Sequence, residues 1–181
     1  LTKWRVASRT EAQRLVRAGR VTVGGVFVRD PRAVIDPRRQ PIEVDGRTAI
    51  LMTDAGRTTL SERMQSEGRS TLEQLENYGS DLLEAVAYLD SIGVFHRDIK
   101  PANIAIGSDP GTRKPRANLF DFSLSREPLN KIESGSYPYL DPFLGRGARR
   151  QYDRAAELYA VAVTLFEMAT AQKPWWRDGE S

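Results

Sequence analysis

The chain of 181 residues has no cysteine, a single histidine and only five lysines. Without cysteine there is no disulfide scaffold, no thiolate metal site and no cysteine nucleophile. One histidine excludes a multi-histidine metal cluster. No apolar run approaches the ~20 residues that a membrane helix requires. The opening residues Leu1-Thr2-Lys3-Trp4-Arg5 lack the apolar block of a secretory signal. A cytoplasmic, non-membrane protein is the expectation. The first residue is Leu rather than Met, as in a fragment or a processed chain. Charged residues make up 28% and apolar ones 40%, which suits a folded chain of one domain or two small ones.

Charge divides the chain. Residues 1–47 hold 11 basic against 5 acidic residues, net +6, and residues 48–181 hold 16 against 19, net −3. A basic module joined to a mildly acidic one is expected. The lysines are Lys3, Lys100, Lys114, Lys131 and Lys173, so none lies between Lys3 and Lys100.

In the basic module, Ser8-Arg9-Thr10-Glu11 has the form of a capping box. A helix should follow through Leu15, Val16 and Ala18 and stop at Gly19. Val21–Val23 and Val26–Val28, split by Gly24-Gly25, have the pattern of a tight hairpin. Pro31, Pro37 and Pro41 punctuate the next loop, and Pro41 to Gly46 reads as a last strand and turn. This order resembles the small RNA-binding domain shared by ribosomal small-subunit protein four, pseudouridine synthases and tyrosyl-tRNA synthetases. The resemblance rests on residues 8–25 and 41–46 and covers about a quarter of the chain. It implies phosphate contacts from Arg9, Arg14, Arg17 and Arg20, with Lys3 less well placed. Arginine suits that task because its planar fork bonds two oxygens at once. The plainer alternative is a solvated basic helix.

Beyond this, Thr48 to Met52 is an apolar, strand-like run, and a short helix is expected near Leu60–Gln65. Thr71-x-x-Gln74 is a second capping box, and Leu72, Leu75, Leu82, Val86 and Leu89 recur at helical spacing up to Gly93. Then comes His96-Arg97-Asp98-Ile99-Lys100-Pro101-Ala102-Asn103, followed by Leu119-Phe120-Asp121-Phe122-Ser123 and Gly135-Ser136-Tyr137-Pro138-Tyr139-Leu140-Asp141-Pro142-Phe143. These segments resemble the catalytic loop, the metal-binding Asp-Phe-Gly turn and the end of the activation segment of Ser/Thr protein kinases. Ser123 stands where Gly is usual, Phe143 where Glu is usual, and Glu157, in the helical run to Trp175, where Asp is usual. The phrases at 119–126 and 139–144 resemble kinase modules of bacterial phage-defence systems.

The resemblance implies an α+β chain: a small helix-hairpin RNA-binding-like module over residues 1–47, then a mostly helical, incomplete large lobe over 48–181, from the hinge through the helix after the activation segment. It implies Asp98 as proton acceptor, Lys100 steadying the transferred group, and Asn103 and Asp121 holding Mg²⁺ against ATP phosphates. Arg97 would pair with a phosphorylated Ser134 or Ser136, and His96 would be structural. A kinase also needs a Gly-rich loop and a phosphate lysine. Gly19–Val28 lacks the spacing of that loop, and the lysine gap excludes the usual residue. Little or no transfer by the chain alone is expected. Three readings stay open: a kinase-derived ATP-site protein; a non-catalytic partner of another protein, antitoxin-like or defence-associated; and an RNA-binding protein whose lobe is ballast.

Overall fold

A computed structural model describes residues 9–36, 39–49, 55–109 and 111–174. Ser8 and Lys3, most of the 48–52 run, and Trp175 lie outside them. Two compact units divide between Asp54 and Ala55.

The first unit is one helix and a four-stranded antiparallel sheet. Helix α1 (Arg9–Arg17) ends as expected: Gly19 takes a left-handed φ of 68° and donates its N–H to the Val16 carbonyl at 3.0 Å. Strands β1 (Val21–Val23), β2 (Val26–Phe27), β3 (Ile42–Val44) and β4 (Arg47–Ala49) are ordered β2-β1-β3-β4. Gly24 and Gly25, at φ 58° and 82°, turn β1 into β2. Asp45 and Gly46, at φ 51° and 70°, do the same for β3 and β4. That second turn carries the chain back onto Ile42–Val44, pairing Ile42 with Ala49. The sheet therefore runs on past residue 47, and Thr48 and Ala49 pair here rather than in a lobe hinge. Among the described residues, Val21 and Val23 are the buried ones of this unit.

The second unit is mostly helical and, among the described residues, has no full β-sheet small lobe. Strands β5 (Thr58–Thr59), β6 (Ile104–Ser108) and β7 (Pro115–Leu119) form a small antiparallel sheet in that order. Helices α2 (Leu60–Glu67) and α3 (Leu72–Ser91) both open with complete capping boxes, Thr59 with Glu62 and Thr71 with Gln74. α3 buries Tyr78, Leu82, Val86 and Leu89 against β7 and α4 (Arg154–Thr170). The helical stripe is thus real, except that Leu72 is 81% exposed because it opens the first turn. Ile99, Ile104, Tyr139, Val161 and Met168 complete one core. It joins the loop after α3 to the segment before α4, so both rest on the same buried cluster.

Candidate active site

The loop after α3 is held from below by one carboxylate. Glu157, in the first turn of α4 and 1% exposed, accepts the backbone N–H of His96 at 3.0 Å and of Arg97 at 2.7 Å. The Tyr152 hydroxyl donates to it at 2.8 Å. The glutamate thus reaches the loop backbone despite its extra methylene. Arg97 is left-handed (φ 71°), a strained conformation for a non-glycine residue that these bonds help to hold.

His96 is fully buried. Its Nε2 bonds the Phe120 carbonyl at 3.0 Å, and its Nδ1 accepts the Asp98 N–H at 3.3 Å. Its ring lies 4.6 Å from that of Phe122. Burial depresses its pKa, although the Phe120 carbonyl and nearby carboxylates oppose the shift. His96 is therefore a neutral spacer joining the two loops.

Asp98 is the centre of a ring of polar contacts. Its Oδ2 accepts from Lys100 Nζ at 2.7 Å and from Asn103 Nδ2 at 2.8 Å. Its Oδ1 accepts from the Ser136 hydroxyl at 2.8 Å, and Lys100 also donates to Ser136 at 2.6 Å. Ser136 places a hydroxyl against the carboxylate that the resemblance names as proton acceptor. Sequence reading missed this positioning role and treated Ser136 as a phosphorylation candidate. The signal was Gly135, whose φ is 147° and where an added Cβ would meet the Arg97 carbonyl at 2.9 Å and Leu140 at 2.7 Å. Only glycine lets the chain pass so close to the loop.

Asp121 is exposed and itself takes the left-handed position of its turn (φ 65°). Ser123 is not among the left-handed residues, so replacing the usual glycine carries no backbone strain there. The Phe120 N–H donates to the Asn103 carbonyl at 3.1 Å, which keeps Asp121 next in sequence to a residue tied to Asn103.

These residues fit a magnesium nucleotide at its metal end. Both amide hydrogens of Asn103 are spent on Asp98, one on its carbonyl at 2.9 Å and one on its carboxylate, leaving the amide oxygen for a cation. The Asp121 carboxylate is the other oxygen donor that the kinase resemblance would assign to the metal, and oxygen donors suit a hard cation that takes its other ligands from phosphates and water. Among the described residues no group of three or more His, Asp or Glu converges to bind a metal alone. Bound Mg²⁺ would supply charge neutralisation at phosphate oxygens.

The activation segment is anchored without the usual glutamate. Phe143 is 59% exposed. One residue earlier than Pro142, the buried Asp141 accepts Arg149 at 2.6 Å and the Phe143 N–H at 2.9 Å. Arg149 reaches on to Asp153 at 2.7 Å and 2.9 Å, and Asp153 caps α4. Arg149 holds the Asp153 carboxyl below its ordinary pKa. Asp141 and Arg149 carried no signal beyond ordinary charge.

In the first unit, Arg9 opens α1, and Arg14 and Arg17 are exposed on it. Arg20, just past α1, is exposed and paired within the unit. Its guanidinium is engaged by both Asp45 oxygens, with Nε donating at 2.8 Å.

Comparison with known proteins agrees with this geometry. The protein kinase domain family matches residues 39–181. The chain belongs to that family. The S4 domain family matches residues 1–38, so an S4 domain precedes the kinase domain. The chain is 37% identical over 159 residues to the probable kinase PglW of Streptomyces coelicolor, covering 77% of this chain and 10% of that protein. It is 29% identical over 133 residues to mouse serine/threonine-protein kinase 36, covering 70% of this chain and 10% of that protein. Human mitogen-activated protein kinase kinase kinase 5 is 31% identical over 108 residues, 57% of this chain and 8% of that protein. The chain thus spans about a tenth of the length of these relatives.

Proposed function

We propose that the second unit is a Ser/Thr-type kinase lobe that binds magnesium–ATP through Asn103, Asp121 and Lys100, and that the chain by itself transfers little or no phosphate. Asp98 accepts the proton of an incoming hydroxyl. The observation that carries this is the Asp98 ring, in which Ser136 already occupies the place of a hydroxyl donor, 2.8 Å from the carboxylate. The missing half is charge. No lysine lies between Lys3 and Lys100 to meet the phosphates, and electrostatic stabilisation of this kind is commonly a large part of catalysis. The phrases at 119–126 and 139–144 support a setting of the phage-defence type, and likeness to a probable kinase of Streptomyces coelicolor supports a bacterial one, with a protein as substrate or as neutralised partner. No helix among the described residues is long and apolar enough to cross a membrane, which suits work in the cytoplasm.

Calorimetric titration with Mg–ADP tests the nucleotide site. Binding should require Mg²⁺ and disappear in Asp121→Ala. Absence of heat from a folded sample would remove the nucleotide reading and leave a protein-binding one.

The first unit is proposed to bind RNA through Arg14 and Arg17, which are exposed on α1. Binding should weaken steeply with salt, and the slope of log K against log salt should fall by roughly one for each arginine replaced by alanine. A slope unchanged by both replacements would point to a merely solvated helix.

A further inference from the structure

Arg97 is the buried cation among the described residues of the lobe, and its guanidinium donates to backbone carbonyls. The residue is 2% exposed. Nη1 donates to the carbonyls of Glu127 at 2.6 Å and Pro128 at 3.1 Å, and Nη2 to that of Lys131 at 2.6 Å. The flat cation lies over the Tyr152 ring, 4.9 Å from its centroid. Nε is closed off from solvent without a partner. The backbone of the same residue is held as well, its N–H donating to the Glu157 carboxylate at 2.7 Å.

The kinase resemblance implies an arginine here that waits for a phosphate on Ser134 or Ser136. The contacts leave neither serine that role. Ser136 is spent on Asp98 and Lys100. A phosphate on Ser134 would have to displace the three carbonyls from the guanidinium, leaving those of Pro128 and Lys131 only their backbone donors, the N–H groups of Lys131 and Ser134. The same stretch is held by further backbone bonds. The Lys131 N–H donates to Pro128 at 2.9 Å and the Tyr152 N–H to Leu129 at 2.7 Å.

We propose that Arg97 is a positioning residue that orders the activation segment without phosphorylation, the carbonyls of Glu127, Pro128 and Lys131 standing where a phosphate would otherwise bind. The lobe is then assembled as soon as it folds, and regulation must come from elsewhere than this segment. This rests on reading the second unit as a kinase lobe, but its test does not depend on turnover.

The test is hydrogen exchange read by mass spectrometry on the full chain, treated with phosphatase and shown by intact mass to carry no phosphate. Peptides covering 127–134 should exchange at least about tenfold more slowly than an unstructured chain. Ser134→Asp should change that by less than about twofold. Arg97→Met, close in bulk but without charge, should lose the protection over 127–134 while α3 and α4 keep theirs. Unprotected peptides in the unmodified chain, protection gained only in Ser134→Asp, or protection kept in a folded Arg97→Met would each overturn the proposal. If Arg97→Met does not fold, the unmodified chain and Ser134→Asp decide the matter alone. Loss of nucleotide binding with protection intact would count against the proposed function and not against this ordering.

Discussion

The two units carry their chemistry in opposite ways. In the first, the candidate contacts Arg14 and Arg17 stand exposed on a helix over a small core of Val21 and Val23. In the second, His96, Arg97, Asn103 and Glu157 are themselves buried, and each holds another. The contrast teaches where function and stability can be separated. A solvated arginine can be lost without cost to the fold. A buried polar residue that satisfies its neighbours cannot, because their hydrogen bonds go with it.

Glu157→Ala should show the largest effect. It strands two backbone N–H groups and the Tyr152 hydroxyl around a buried site, and should cost about 3–5 kcal/mol in urea unfolding. A loss below 1 kcal/mol would break the contrast between the units. Gly135→Ala should follow, at about 1–3 kcal/mol, because the new Cβ enters a position of positive φ against the Arg97 carbonyl. Arg149→Ala should cost about 1–2 kcal/mol: it leaves Asp141 buried without its cation, but the arginine is itself 31% exposed on its side chain, which dilutes the pair.

These effects bear on what the sequence made legible. The kinase loop was readable because its residues are contiguous and their types are dictated by contacts that the structure now shows. Asp98, Lys100 and Asn103 meet within eight residues of chain, and Asp121 is tied to them through Phe120 and Asn103. The capping boxes were readable for the same reason. Asp141, Arg149 and Tyr152 were not, since their partners are set by the path of an irregular segment and no periodicity encodes it. Asp45-Gly46 reads in sequence as an ending, but its two left-handed residues make it a hairpin that sets β4 beside β3. Arg20 looked like its neighbours in sequence, and only the fold brings Asp45 to it.

His96 gives a smaller, pH-dependent effect. Burial lowers its folded pKa below the ordinary value of about 6.5. Above that value both states are neutral and stability is full. As pH falls below it, the unfolded chain takes up the proton first, so stability should decline by up to about 1.4 kcal/mol per pH unit. With one histidine in the chain, the imidazole resonances of the folded protein report this directly and should not titrate near 6.5. Normal titration of His96 would contradict its placement between Phe120 and Asp98. The smallest effect should be in the first unit. Arg14→Ala and Arg17→Ala should each change unfolding stability by no more than about 0.5 kcal/mol while altering the salt dependence of RNA binding.

The central claim is an assembled catalytic loop without the charge that transfer requires. Its most direct test is incorporation of radiolabelled phosphate from ATP with Mg²⁺, run beside Asp98→Ala. The account predicts no Asp98-dependent signal, or only a trace, from a folded chain that still binds Mg–ADP. Robust incorporation that vanishes in Asp98→Ala would contradict it and show that another group meets the phosphates.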